Sequence, residues 1–149
     1  RHGQAIRFKE TDIRPMGRTA SGVRGMKLKA DDQIVGMDVV SVPNAKAGVQ
    51  LLVVMHNGYG KRSELKEYKV QRRGGSGIKT AKVTKKTGEI VSAYAVPADD
   101  ARDLFVMTDS GQVLRSPLKT ISLLGRATQG VRVMRFKKEG DTVASVALI

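Results

Sequence analysis

A chain of 149 residues with 40% hydrophobic content is long enough to bury a core, and its lack of cysteine rules out a disulfide framework or a thiolate metal site, as fits a reducing cytoplasm. Twenty-seven Lys and Arg against 14 Asp and Glu leave a formal charge of +13, the balance of a protein whose partner is a polyanion. The longest nearly continuous apolar run, Val49 to Met55, is interrupted by Gln50 and falls far short of the roughly 20 residues of a membrane-spanning helix, so none is expected.

The chain opens Arg1-His2-Gly3, with no initiator Met and no secretory leader, as an excised fragment would. Gly3 starts a pattern that recurs three times. Gly3, Gly58 and Gly111 are each followed four residues later by an arginine (Arg7, Arg62, Arg115) and nineteen later by a second glycine (Gly22, Gly77, Gly130). Four positions before that second glycine stands Arg18, Arg73 or Arg126, and nine before it Ile13, Tyr68 or Ile121. After it come Val23, Ile78 or Val131, then Arg24, Lys79 or Arg132, and three further on Lys27, Lys82 or Arg135. The period of 53 to 55 residues belongs to propeller-like or solenoid arrays. The expected repeats are residues 1–48, 49–101 and 102–149.

Each repeat reads as strands. Leu51 to Met55 and Leu104 to Met107 are short apolar runs ending in turns, as for strands buried on both faces. A second strand carries Arg62 or Arg115. A third begins at the second glycine, and a fourth runs through Ile34 to Val40, Ile90 to Val96 or Val143 to Ile149. Four strands in about 54 residues make a propeller blade, and no stretch shows helical periodicity. The first repeat lacks its opening strand, and three blades do not reach the roughly 4 to 8 that close a ring, so the chain reads as the later part of a larger array.

The loop between second and third strands spans about fourteen residues, long enough to be functional. In the middle repeat it ends in Gln71-Arg72-Arg73-Gly74-Gly75-Ser76-Gly77. Glycines let successive N–H groups turn into one anion-binding concavity, and the arginine pair adds forked charged donors. The surrounding stretch from Gly58 to Ile90 holds ten basic residues, Lys61 among them, against three acidic ones, without the amphipathic period of an interfacial anchor. In the third strand Arg24, Lys79 and Arg132 share the parity of the apolar residues Met26, Ala81 and Met134. A regular strand would turn these charges inward, so a bulge after the glycine is expected.

Other chemistries are poorly supported. His2 and His56 have no ligand spacing, Asp31-Asp32 and Asp99-Asp100 sit in turn-like sequence, and no metal or cofactor is expected. A phosphate-site enzyme is disfavoured because Gly74, Gly75 and Gly77 lead into a strand rather than a helix. A basic propeller that binds another protein stays open.

Arg14-Pro15-Met16-Gly17-Arg18-Thr19-Ala20-Ser21-Gly22-Val23-Arg24-Gly25, Gly58-Tyr59-Gly60-Lys61-Arg62 and Gly125-Arg126-Ala127-Thr128-Gln129-Gly130-Val131-Arg132 resemble blades of the C-terminal domain of bacterial DNA gyrase A. The resemblance covers essentially the whole chain. It implies an all-β fold, a β-pinwheel whose four-stranded blades exchange strands, with duplex DNA wrapped on a basic rim. Gln71, Arg72, Arg73, Gly74, Gly75 and Gly77 match that family's wrapping motif Q-[RK]-R-G-G-[RK]-G, with Ser76 in place of a basic residue. The position, in later blades, fits an auxiliary box. The related domain of topoisomerase IV typically lacks an intact box and is the alternative. Tyr59, Tyr68 and Tyr94 lack the arginine that precedes the family's DNA-cleaving tyrosine, so no cleavage is expected. The partners implied are DNA, the rest of gyrase A and gyrase B, in the cytoplasm at the nucleoid, with ATP and magnesium acting elsewhere. The residues expected to meet DNA are Arg7, Arg18, Arg24, Lys61, Arg62, Gln71, Arg72, Arg73, Gly74, Gly75, Gly77, Lys79, Arg115, Arg126 and Arg132.

Overall fold

The apolar run Val49–Met55 forms strand β2, buried on both faces: Leu52 and Val54 join one core cluster, Val53 and Met55 another. Each such side chain withdrawn from water contributes about 1.5–3 kcal/mol, which explains why a β-rich run without alternation becomes an inner strand. The structure, a computed structural model, describes residues 1–41, 43–44 and 48–149. Its other strands are β1 (Gln4–Ala5), β3 (Tyr59–Glu64), β4 (Ile78–Lys79), β5 (Ile90–Pro97), β6 (Asp103–Thr108), β7 (Val113–Pro117), β8 (Val131–Arg132) and β9 (Val143–Leu148).

The antiparallel pairings cross repeat boundaries. The sheets run β5-β2-β3-β8, β7-β6-β9 and β1-β4. Strand β8 belongs to the last repeat yet pairs with β3 of the middle one, Tyr59 facing Arg132 and Gly60 facing Val131. Strand β4 of the middle repeat pairs in the same register with β1 of the first, Gln4 facing Lys79 and Ala5 facing Ile78. The first two blades thus take an outer strand from the next repeat, and this is the expected strand exchange. At the base of each exchanged loop sits a single 3-10 turn, Glu10–Asp12, Leu65–Glu67 or Leu118–Thr120, which the sequence pattern did not reveal. Tyr68 and Ile121, just beyond two of these turns, are buried anchors.

The bulge is present in both exchanged strands. Thr80 and Ala81 donate their N–H groups to the single carbonyl of Gly3, and Val133 and Met134 both donate to that of Gly58. Two residues opposing one reverse the side-chain direction. Ala81 and Met134 therefore enter the cores while Lys79 and Arg132 stay exposed.

One expected strand does not form. Residues 34–40 make no ladder, whereas their counterparts β5 and β9 pair with β2 and β6. Among the described residues no strand lies where β2 and β6 lie for those counterparts. The segment rests instead against β5, where the Asp38 carboxylate accepts the Ala95 N–H at 2.6 Å. The turn aspartates have structural partners. Asp32 accepts the His2 and Gln33 N–H groups, Asp141 those of Ser110 and Thr142, and Asp100 pairs with Arg102.

Candidate nucleic-acid interface

In the first two repeats the arginine four residues after the first glycine points inward. Arg62, 8% exposed, donates from Nε to the Ile121 carbonyl at 2.9 Å and from Nη2 to that of Lys119 at 3.1 Å. Arg7 repeats the arrangement one blade earlier, its Nη1 lying 3.3 Å from the carbonyls of Leu65 and Tyr68. Both guanidinium groups clasp the 3-10 turn of the following repeat, whose last carbonyls lack helical partners. Among the described residues Arg115 clasps no such turn. It is exposed, 2.6 Å from the Asp103 carboxylate and 5.5 Å from the Phe105 ring.

Lys61, expected at the surface, is fully buried. Its ammonium donates to the carbonyls of Gly125 and Arg126 at 2.7 and 2.6 Å and to the Thr128 hydroxyl at 3.2 Å. Burial draws its pKa down to about 8, with the Glu67 carboxylate acting in the opposite sense. Sequence reasoning missed this role because β3 has cover on both faces and its lysine sits between a blade and the next loop. The apolar Ile6 occupies the corresponding place, with its Cδ1 3.5 Å from the ideal Cβ position of Gly75.

The glycine box is laced to the first repeat. The Gln71 N–H donates to the Arg7 carbonyl and the Gly74 N–H to that of Gly25, both at 2.8 Å, and the Lys27 N–H returns to Gly75 at 2.9 Å. Those two box N–H groups are engaged within the protein, which narrows the anion-cradle reading. Gly74 adopts φ +82°, while Thr19 and Ala127 at the matching positions do not share that conformation. Gly77 (φ +73°) admits no side chain, since a Cβ there would lie 2.5 Å from the Ala5 carbonyl oxygen.

The paired box arginines divide. Arg73 donates from Nε to the Asp12 carbonyl at 3.2 Å and from Nη1 to that of Arg24, and Arg126 likewise reaches the Lys79 carbonyl at 2.8 Å. The Arg126 N–H is in turn held by the Glu67 carboxylate at 2.9 Å. Arg72 is exposed and makes no side-chain hydrogen bond among the described residues, as is also true of Arg18, Arg24 and Lys79. Arg132 lies 5.2 Å from the centre of the Tyr59 ring and donates to its hydroxyl at 3.0 Å, the main cause holding that phenol below its ordinary pKa. Lys27, Lys82 and Arg135, part of the repeat pattern but outside the expected site, are exposed too.

Antiparallel blades that exchange outer strands, as the first two do here, define a β-pinwheel of the propeller class. The chain belongs to the DNA gyrase C-terminal domain family, described as a beta-propeller, which it matches over residues 1–41, 50–97 and 102–149. It is 43% identical over 148 residues to DNA gyrase A of Staphylococcus epidermidis, and 42% identical over 147 residues to that of Staphylococcus aureus. These alignments take in 99% and 97% of the chain but 16% of each relative. A solved DNA gyrase A C-terminal domain superposes with a TM-score of 0.79 at 29% identity, over 99% of this chain and 47% of that one. The C-terminal domain of DNA topoisomerase IV superposes at 0.86 with 23% identity, over 99% and 44%, a likeness of fold. Among the described residues no helix is long and apolar enough to cross a membrane.

Proposed function

We propose that this chain is part of the DNA-wrapping domain of a DNA gyrase A, its blades falling at residues 1–48, 49–101 and 102–149, and that it binds duplex DNA without sequence specificity on its outer rim. The observation that carries the reading is the repeated bulge, which turns Lys79 and Arg132 outward from exchanged strands whose apolar neighbours face the cores. Arg24, Lys79 and Arg132 occupy matching places on successive blades, and Arg18, Arg72 and Arg126 stand six or seven residues ahead of them. Phosphates spaced along a curved duplex match such a series better than a small ligand does. Arg7, Lys61, Arg62 and Arg73 serve the reading indirectly by fixing the loops. The aromatic content of 4% disfavours stacking on single strands.

Bending 20 to 30 bp by 40 to 90° costs on the order of 1 to 6 kcal/mol, so several phosphate contacts must act together. In the whole enzyme this piece acts as an accessory element without its own cleavage chemistry. It presents DNA to the rest of gyrase A and to gyrase B in the bacterial cytoplasm and biases supercoiling toward the negative sense. The test is end-to-end fluorescence transfer on a duplex of about 40 bp, titrated at several salt concentrations with the chain and with Arg72→Ala. Salt-sensitive approach of the ends is expected, and Arg72→Ala should flatten the log–log salt slope by about 0.9, one phosphate contact. Absence of binding at low salt would refute the proposal and favour a protein partner for the basic rim.

A further inference from the structure

Strand β3 begins at Tyr59, which is 6% exposed although it lies among cations. It faces Arg132 of the exchanged strand β8, and the turn that leads into β5 supplies Lys86. The Arg132 guanidinium carbon lies 5.2 Å and the Lys86 ammonium 5.7 Å from the centre of the ring, and Arg132 Nη2 donates to the phenolic oxygen at 3.0 Å. Both cations act on that phenol. The Arg132 hydrogen bond does most to hold it below its ordinary pKa, and the Lys86 charge works in the same sense against the effect of burial.

No carboxylate balances the two charges. Among the described residues the ion pairs engage Asp32, Glu89, Asp100 and Asp103, and none includes Lys86 or Arg132. Two like charges held beside one ring repel each other, and the ring quadrupole offsets only part of that repulsion. An anion that reaches both cations would offset the rest.

The turn that carries the lysine is fixed at its backbone. Asn57 Nδ2 donates to the carbonyls of Lys85 and Lys86 at 3.0 and 3.1 Å, and the fully buried Thr87 hydroxyl accepts the Thr84 N–H at 3.0 Å. Lys86 and Arg132 are exposed. With the backbone already ordered, only side chains have to be immobilised when a ligand binds.

We propose that Tyr59, Lys86 and Arg132 hold one phosphodiester group of duplex DNA, Tyr59 acting as a positioning residue that orients the Arg132 fork and Lys86 as a second donor to the same phosphate. This rests on the DNA-binding reading above and adds Tyr59 and Lys86, which the repeat spacing did not single out. A guanidinium has five N–H donors, so one spent on the phenol leaves the others for phosphate oxygens. The first boundary differs. There Gln4 stands opposite Lys79, which makes no side-chain hydrogen bond among the described residues, so a loose cation takes the place of an oriented one. The site also depends on strand exchange, since Arg132 faces Tyr59 from the borrowed strand β8.

Anisotropy titrations of the chain with a duplex of about 40 bp over a salt series test this. Lys86→Ala should lower the log–log salt slope by about 0.9, one phosphate contact. Tyr59→Phe keeps the ring and every charge, so it should weaken duplex binding about threefold or more through lost orientation alone. Made on top of Arg132→Ala, the same change should weaken binding no further. The NMR signal of the Tyr59 ring carbons, assigned by its loss in Tyr59→Phe, should move as duplex is added and stay in place with inorganic phosphate at the same phosphate concentration. A signal that follows inorganic phosphate while duplex leaves it unmoved marks a small-anion site and overturns the inference. A parent chain that does not bind duplex refutes the DNA reading and the inference with it. Binding by the parent overturns the inference alone if Lys86→Ala keeps the full slope, or if Tyr59→Phe binds as tightly as the parent or does equal harm without Arg132. Lys86 is exposed, so its variant remains decisive should Tyr59→Phe lose stability.

Discussion

Replacing Arg62 with alanine separates a clasp from a phosphate contact. The side chain is 8% exposed and makes two hydrogen bonds to backbone carbonyls of the next repeat, at 2.9 and 3.1 Å. Hydrogen bonds from a charged donor contribute about 1.5–3 kcal/mol each, so losing both, with some compensation by entering water, should cost about 3 kcal/mol. For a domain of this size that corresponds to a fall in Tm of about 6–12 °C. The cost arises at the boundary between the middle and last blades, because the turn Leu118–Thr120 and the buried Ile121 lose their tether. Thermal and urea melts of Arg62→Ala and Arg62→Lys provide the assay, the lysine variant being expected to recover little because an ammonium cannot fork to both carbonyls. If Arg62→Ala melted within about 0.5 kcal/mol of the parent, the clasp would be refuted. A simultaneous fall in duplex affinity and salt slope would then assign Arg62 to DNA.

Other expectations follow from the same geometry. Lys61 has its pKa lowered to about 8 from 10.5, so between those values the unfolded chain holds more protons and stability should rise with pH across that window. Lys61→Met should flatten this rise in urea melts at pH 7.5 and 9.5. Asp141 is held near a pKa of about 2: burial acts upward, but the Ser110 and Thr108 hydroxyls and the Ser110 and Thr142 N–H groups outweigh it. Its contribution should be intact above pH 4 and lost as pH falls toward 2, a loss absent from Asp141→Asn in acid melts. Gly77→Ala, which forces a Cβ to 2.5 Å from the Ala5 carbonyl at φ +73°, should destabilise by more than about 1 kcal/mol and weaken DNA binding through the displaced loop. A melt of Gly77→Ala indistinguishable from the parent's would contradict that close approach.

Spacing made most strands legible, because glycines with positive φ and apolar runs leave fixed marks. The bulge was legible as well, since Lys79 and Ala81 share a parity that no regular strand could satisfy with one exposed and one buried. What spacing did not disclose was the direction of the repeated arginines. An arginine at the same place in every repeat suits a rim contact and a backbone clasp equally until the neighbouring turn is located. Arg7 and Arg62 turned out to face carbonyls, whereas Arg72, beside the engaged Arg73, faces solvent. The segment from Ile34 to Val40 carries strand composition but no strand, because a strand is a relation with a neighbour and this one pairs with none among the described residues.

The borrowed outer strands also set a schedule for biosynthesis. Ala5 pairs with Ile78 and Gly60 with Val131, so the residues that complete a blade leave the ribosome more than one full repeat after those that begin it. A nascent blade therefore waits with an open edge, and such long-range pairings fold slowly. Each new repeat seals the one before it. Pausing translation within Leu65–Gly77 should leave the first blade sensitive to protease, and release past Ala81 should protect it.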